Sequence, residues 1–145
     1  MAESPAAIVV NQRVEWSDTD ASGFHHNTFV IRLLEAAEAA LHRRLGLGTT
    51  LFGRIPRVRT DLSYRRRLSF GDLVEARLRV SSIGRSSLTY AFEILRDGDV
   101  VADGEVVIVH VGPQGDRSEE WPTEVRRAFA TGGSHTASPV TVDQS

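Results

Sequence analysis

The chain contains no cysteine and no lysine, and these two absences exclude several kinds of chemistry. Without cysteine there is no disulfide, no thiolate nucleophile and no cysteine-ligated zinc, so the sequence predicts a cytoplasmic protein. Without lysine there is no Schiff-base chemistry and no phosphate-binding loop of the Walker type. All 17 basic residues are therefore arginine.

Long apolar runs are also absent, and none reaches the roughly 18 residues that would span a bilayer. The N-terminal stretch lacks the basic region and apolar core of a secretory signal. A formal charge of −2 argues against a nucleic-acid partner, because such domains are strongly basic. No Gly-x-Ser-x-Gly motif is present, which argues against a serine hydrolase. We therefore expect neither a membrane nor a nucleic acid as partner.

The 145 residues suffice for one domain with one hydrophobic core. We place that domain at residues 1–112 and a C-terminal extension at 113–145. A short helix is predicted over Trp121 to Ala130. The segment Thr131 to Ser145 is rich in Gly, Ser, Thr and Pro, and it is predicted to be disordered.

The pattern of apolar residues predicts one helix and five strands, an α+β fold with an antiparallel five-stranded sheet around one long helix. The helix runs from Thr28 to Leu45 and ends at Gly46, which can adopt the left-handed conformation. Its polar residues form a narrow stripe of Glu35, Glu38 and His42. Asp97-Gly98 predicts a tight hairpin turn. The strands are predicted at Ile8–Trp16, Arg57–Arg66, Leu73–Ser82, Leu88–Leu95 and Val100–Val111.

The loop before this helix, residues 16–27, carries the candidate chemistry. The first turn of a helix presents free amide donors and the positive end of the helix dipole. The backbone amides of His26 and Asn27 could therefore bind a partly negative oxygen. Asp20 lies just upstream and can act as general base or as nucleophile. Asp18 is expected to be structural and to close the turn.

A metal site is a weaker interpretation of the same loop. The spacing of Asp18, Asp20 and Ser22 begins like a calcium-binding loop, but Phe29 stands where that loop requires glutamate. His25 and His26 are adjacent, so their side chains point apart, and no repeat of ligands accompanies them. We predict no metal and no cofactor.

The loop and helix resemble those of hotdog-fold acyl-CoA thioesterases, specifically the 4-hydroxybenzoyl-CoA thioesterase branch. The resemblance rests on the run from Asp18 to Gly23 and on Glu35, twelve residues further on. Weaker matches come from three glycine-containing segments, and the resemblance covers Val9 to Val111. These segments are Gly71-Asp72, Gly84-Arg85-Ser86-Ser87 and Gly104.

This resemblance implies hydrolysis of an acyl-CoA to free acid and CoA, in an active site at a subunit interface. It implies Asp20 as the acting carboxylate, with amides of His26 and Asn27 binding the carbonyl oxygen. Glu35 is the rival carboxylate; its alternative role is structural, as a partly buried helix carboxylate paired with Arg32 or with a neighbouring backbone group. The arginine-rich run from Arg54 to Arg67 is either a solvated strand face or, in one or two of its members together with Arg85, a contact for the phosphates of coenzyme A or of a carrier-protein arm, because arginine side chains match phosphate geometry. The expected substrate contacts are Gly23, Phe24, His25, Arg65, Arg85 and Ser86.

Two alternatives stay open at this point. The chain could release an acyl group from an acyl-carrier protein, or it could bind acyl-CoA without turnover, since one fold hosts several activities. A helix that is apolar around most of its circumference also predicts a homodimer at least, and a tetramer through a second surface.

Overall fold

A computed structural model describes residues 4–25 and 28–137, and within them a mixed six-stranded sheet packs against helices. The spatial order of the strands is β2-β5-β4-β3-β1-β6. The strands are β1 Ala7–Arg13, β2 Arg57–Tyr64, β3 Leu73–Ile83, β4 Ser87–Arg96, β5 Asp99–Val109 and β6 Ser134–Thr136. The helices are α1 Thr28–Arg44, α2 Gly48–Leu51 and α3 Thr123–Thr131.

The prediction of five antiparallel strands is wrong, because β6 adds a sixth strand that runs parallel to β1. The prediction of disorder from Thr131 onward is also wrong for residues 131–137, which include the end of α3 and β6. Composition suggested a tail without structure, but the backbone of Ala7 donates to Gly133 at 3.0 Å and that of Ala137 to Val9 at 2.9 Å. The edge of β1 thus supplies hydrogen bonds that composition does not reveal. The rest of the predicted tail, residues 138–145, lies outside the described residues.

Helix α1 begins at Thr28 as predicted and ends at Arg44, one residue before the predicted Leu45. Gly46 has a φ of +76°. Leu47 donates to the carbonyl of His42 at 2.8 Å, and Gly46 donates to Arg43 at 3.1 Å. This pair of bonds is the Schellman arrangement that ends a helix on glycine. The helix packs on β1 and β3 through apolar side chains, which include Phe29, Val30, Leu33, Leu34, Ala37 and Leu41.

The polar stripe predicted on α1 is wrong in its membership. Glu38 and His42 are each only 6% exposed, whereas Glu35 is exposed. The exposed side of the helix instead follows Ile31, Glu35 and Arg43. Partners from two other strands account for the difference, as described below.

The alternation predicted for the central strands is confirmed, and the inward side chains of β3 and β4 form the floor of the core. The turn between β4 and β5 has positive φ at both Asp97 (53°) and Gly98 (83°), as a tight hairpin requires. On β5, Val106 and Ile108 are buried while Val107 and Val109 are half-buried. The inward residues of β3 and β4 are Val74, Ala76, Leu78, Val80, Leu88, Tyr90, Phe92 and Ile94.

The C-terminal helix α3 packs into the same core. Trp121, Val125 and Phe129 are between 0% and 3% exposed. The indole N–H of Trp121 donates to the carbonyl of Ser87 at 2.9 Å, which fixes the extension against β4. The domain boundary at residue 112 stays a prediction, but the extension supplies part of the hydrophobic core.

Candidate functional site

Asp18 anchors the loop that precedes α1. Its side chain is buried, and it accepts hydrogen bonds from the backbone N–H of Glu15 at 2.7 Å and from the guanidinium of Arg32 at 3.1 Å. The predicted structural role of Asp18 is thereby confirmed. The suggested pairing of Arg32 with Glu35 is wrong, because Asp18 takes the guanidinium and Glu35 points to solvent.

Asp20 lies two residues further on and is exposed. Its Oδ1 accepts the backbone N–H of Ser22 at 2.8 Å and the Ser22 hydroxyl at 2.5 Å. The backbone closes the same turn, since Asp20 N–H donates to Phe24 at 3.0 Å and Gly23 N–H donates to Asp20 at 3.0 Å. The direction of the Asp20 carboxylate is therefore set by its own loop.

Phe24 and His25 fasten this loop to the segment between β2 and β3. The backbone N–H of His25 donates to the carbonyl of Leu68 at 2.8 Å, and the Leu68 N–H donates to Nδ1 of His25 at 3.2 Å. Phe24 forms a β-bridge with Ser69, and the Arg67 guanidinium lies 4.7 Å from the centre of its ring. The predicted substrate contacts Gly23, Phe24 and His25 are thus gathered beside Asp20.

His25 is partly buried, and its surroundings favour the neutral form of its imidazole. Burial lowers the pKa of its imidazole, opposed by its hydrogen bond to the Leu68 backbone and by the charge of Asp20. Because Nδ1 accepts a hydrogen bond, the proton of the neutral ring belongs on Nε2. The ring also lies 5.2 Å from that of Tyr64. His25 can therefore donate one hydrogen bond to a group in the site.

His26 and Asn27, the predicted amide donors, lie outside the described residues, so their role stays a prediction. Helix α1 begins immediately after them, at Thr28.

The predicted phosphate contacts fall into two groups. Arg65 follows β2 at the same end of the sheet as the loop, where its guanidinium pairs with Asp103 at 3.0 Å. Arg85 and Ser86 occupy the β3–β4 turn at the opposite end. The backbone of Arg65 is hydrogen-bonded to Val101, and that of Ser86 is hydrogen-bonded to His110. Val101 and His110 lie about 30 Å apart along extended chain. One chain therefore does not bring Arg85 and Ser86 to Asp20.

A second polar cluster lies deeper along α1, and sequence reasoning missed it. Glu38 pairs with the Arg57 guanidinium at 2.5 Å, and Nε2 of His42 lies 2.9 Å from the Tyr90 hydroxyl. Burial raises the pKa of Glu38, opposed by Arg57, and burial together with Arg57 lowers the pKa of His42 to about 4. The signal that could have found it was a Glu and a His one turn apart on an otherwise apolar helix.

Glu38, His42 and Arg57 of this cluster line a cavity of about 540 Å³ between α1, α2 and the start of β2. The cavity wall also includes Ala39, Phe52 and Ile55. Its volume lies within the usual range of small-molecule sites.

Neither a bilayer span nor a metal site emerges from the described ranges. In residues 4–25 and 28–137, no helix is long and apolar enough to cross a membrane. No group of three or more His, Asp and Glu side chains in the same ranges has an arrangement that could hold a metal ion.

Residues 14–129 match the model of the thioesterase-like superfamily, which covers most of the chain. The chain belongs to the thioesterase-like superfamily. The expected relationship to hotdog-fold thioesterases is confirmed, and so is the expected class of activity, a thioester hydrolase. A comparison with curated protein sequences found no significant match.

Several solved structures share this thioesterase fold. A predicted thioesterase from Bacillus stearothermophilus is 26% identical, with a TM-score of 0.78 over 86% of this chain and 94% of that one. A gentisyl-coenzyme A thioesterase is 25% identical, with a TM-score of 0.74 over 83% and 98%. A variant of 4-hydroxybenzoyl-CoA thioesterase, complexed with 4-hydroxybenzoyl-CoA, is 21% identical, with a TM-score of 0.78 over 86% and 99%. At that identity the last shows the fold alone.

Proposed function

We propose that this thioesterase hydrolyses an acyl-CoA to a free carboxylic acid and coenzyme A, with Asp20 as the acting carboxylate. The observation that carries the proposal is the exposed Asp20, whose direction is set by two hydrogen bonds from Ser22 just before α1 begins. A coenzyme A thioester is the substrate named for the gentisyl-coenzyme A thioesterase, which is 25% identical to this chain and supports this choice of substrate.

Hydrolysis of the thioester requires two groups that face each other across its carbonyl. As the carbonyl carbon is attacked, its oxygen gains negative charge, which amides at the start of α1 would stabilise. As general base, Asp20 takes a proton from water while the water oxygen bonds to the carbonyl carbon. The C–S bond then breaks and the proton goes to the departing thiolate. As nucleophile, Asp20 would displace the coenzyme A thiolate from the carbonyl carbon and form a mixed anhydride, which water would then open to the free acid and the Asp20 carboxylate.

The decisive test replaces Asp20 with Asn and measures hydrolysis of a panel of acyl-CoA thioesters. Asn keeps the turn with Ser22 but removes the basic and nucleophilic oxygen. We expect kcat/KM to fall by about 10² to 10⁴ with the thermal unfolding temperature unchanged.

Asp116→Asn is the matched control, because it removes an exposed carboxylate in the loop after β5. Turnover that survives Asp20→Asn in a folded protein would refute the assignment. Assaying one acyl group on both coenzyme A and an acyl-carrier protein distinguishes the two substrate classes. Tight binding without any turnover across the panel would favour a non-catalytic binding protein.

We also propose that the active unit is a homodimer, and the edge strand β2 supports this. Its outer edge is unpaired within the described part of the chain, it is exposed along almost its whole length, and Val58 is 59% exposed. An exposed strand edge is a ready template for pairing with another chain. Since Arg85 and Ser86 lie far from Asp20 in one chain, they would bind coenzyme A only at the site of a partner subunit. A tetramer through a second surface remains part of the proposal.

Sedimentation velocity at micromolar concentration tests the assembly. We expect the native protein to sediment as a dimer or larger, and Val58→Asp to shift it towards monomer because a charge would then lie among the side chains that flank the paired edge. Leu73→Asp is the control, since Leu73 is also exposed but lies on β3, three strands from that edge. A stable and active native monomer would contradict the shared site.

The cytoplasmic location remains a proposal, and the absence of cysteine supports it.

A further inference from the structure

The loop that carries Asp20 is fastened at both of its ends to the segment between β2 and β3. Before the loop, Val14 and residues 71–72 exchange two backbone hydrogen bonds, of 2.8 and 2.7 Å. After it, the backbone N–H of His25 donates to the carbonyl of Leu68 at 2.8 Å. None of these bonds involves a residue of α1, so they fix the loop to the sheet and not to the helix.

Arg32 supplies a bond between the loop and α1. It lies in the second turn of the helix, and its Nη2 donates to Oδ1 of Asp18 at 3.1 Å. The side chain of Asp18 is 5% exposed, whereas that of Arg32 is 53% exposed. The other carboxyl oxygen of Asp18 accepts the backbone N–H of Glu15 at 2.7 Å. A buried carboxylate therefore joins a helix side chain to the backbone of the loop.

The path from Asp18 to Asp20 is short and is closed by hydrogen bonds. Thr19, which lies between them, forms a β-bridge with His25. The backbone N–H of Asp20 donates to the carbonyl of Phe24 at 3.0 Å. Because these bonds make the loop a compact unit, a shift of Asp18 relative to α1 would also shift the carboxylate of Asp20.

The position of the loop relative to α1 matters for hydrolysis. In the proposed function, the acting carboxylate belongs to the loop, and the amides that stabilise the carbonyl oxygen belong to the start of α1. A misplacement of about 1 Å between reacting groups can lower the rate by about 10²-fold. A bond that sets this distance therefore acts on kcat more than on the affinity for the substrate.

We propose that Arg32 is a positioning residue that holds the Asp20 loop in place against α1 through its bond to Asp18. The guanidinium acts through the Asp18 carboxylate and does not touch the substrate. The effect on catalysis rests on the proposed function, whereas the link between the loop and the helix does not.

Amide hydrogen exchange, followed by NMR in the full-length protein, tests the link itself. In Arg32→Met, the amides that the loop bonds protect should exchange about 10-fold faster, because the loop opens locally more often. These are the amides of Thr19, Asp20 and Gly23. Unchanged exchange at all three amides in Arg32→Met would overturn the proposal.

A conservative substitution and a distant amide complete this test. Arg32→Lys should exchange as the native protein does, because an ammonium group can donate the one charge-assisted bond to Asp18. The reference amide is that of Gly84, which donates to Ser87 at 2.8 Å in the β3–β4 turn, at the other end of the sheet. Faster exchange at Gly84 as well would indicate general destabilisation and would contradict the proposal.

Steady-state kinetics separates positioning from substrate binding. Arg32→Met should lower kcat about 10-fold and change KM by less than about 2-fold, and Arg32→Lys should keep kcat within about 3-fold of the native value. Arg127→Met, which removes an exposed arginine of α3, is the matched control and should leave both constants unchanged. A rise in KM at unchanged kcat would make Arg32 a substrate contact and would overturn the positioning role.

The same substitution in an Asp20→Asn background shows whether the effect passes through Asp20. If it does, Arg32→Met should leave the residual kcat of Asp20→Asn unchanged. An equal loss in both backgrounds would overturn the proposal, and circular dichroism verifies that each variant is folded. Full activity of Asp20→Asn would refute the proposed function, whereas exchange in the loop would still report on the link, so the two failures are distinguishable.

Discussion

Two carboxylates on or beside helix α1 differ in almost every physical respect. Asp20 is exposed, and the two side-chain hydrogen bonds that its Oδ1 accepts come from Ser22, two residues away. Glu38 is buried, and its partner Arg57 comes from a strand 19 residues further along the chain. The same chemical group is therefore available for reaction with a bound molecule at one position and part of the packed structure at the other.

The position of the partner residues in the sequence determines the role of each carboxylate. Local hydrogen bonds hold Asp20 without removing it from water, so the carboxylate can meet a substrate. Around Glu38, desolvation dominates, raising the pKa of Glu38 and lowering that of His42 to about 4. Changes in the loop should therefore alter turnover, and changes in the buried cluster should alter stability.

The largest expected effect is a pH dependence of stability that His42 confers. Its pKa is about 4 in the folded protein and near 6.5 when unfolded, so the unfolded state binds more protons between these values. The free energy of unfolding should therefore fall by about 3 kcal/mol as pH drops from 6.5 to 4. Arg57, Glu38 and Tyr90 face the ring, and the raised pKa of Glu38 acts in the opposite direction.

Urea unfolding from pH 4 to 7 in native protein and in His42→Gln isolates this contribution. The variant keeps a polar side chain beside Tyr90 but does not titrate, whereas Glu38 titrates in both proteins. The free energy of unfolding of the native protein should fall relative to that of the variant as the pH falls from 6.5 to 4. Parallel curves would show that His42 is as readily protonated as an exposed histidine.

A smaller effect is expected from Arg57→Met, which leaves the Glu38 carboxyl buried without its cation. Breaking a buried ion pair is strongly destabilising. The Arg57 side chain is 29% exposed, so we expect a loss of about 2 kcal/mol in the free energy of unfolding.

Arg59→Met serves as the control for Arg57→Met. Arg59 lies two residues away, and its 3.4 Å pair with Glu105 is exposed, so its loss should cost less than about 0.5 kcal/mol. Equal effects of the two substitutions would remove the distinction between the buried cluster and the surface.

The smallest expected effect is that of Ser22→Ala in the loop. The substitution removes the 2.5 Å hydroxyl bond to Asp20 and keeps the backbone bond at 2.8 Å. We expect kcat/KM to fall about 3- to 10-fold, the value of one ordinary hydrogen bond, with no change in unfolding temperature. A loss of stability without a loss of activity would reverse the roles of the two regions.

Much of the molecule follows from local sequence. The period of apolar residues predicted α1 and the strands, Gly46 marked the end of the helix, and Asp97-Gly98 marked the hairpin. The run from Asp18 to Gly23 predicted the loop, because a turn is defined by the residues within it. The same run carried the resemblance that predicted the family. The bonds of Asp20 to Ser22 span only two residues, so the local sequence is enough to predict the turn that contains Asp20, and its catalytic role stays a prediction.

The tertiary structure decided what depends on partners distant in sequence. Only the pairing of β1 with residues 134–136 revealed a sixth strand where composition suggested disorder. Glu38 and His42 were predicted to belong to a polar stripe, because the sequence of α1 does not indicate that Arg57 and Tyr90 contact them. The separation of Arg85 and Ser86 from Asp20 likewise follows from strand order. Desolvation and long-range pairing depend on the whole fold, so local sequence determined the elements and the loop, and tertiary packing determined which polar residues are buried.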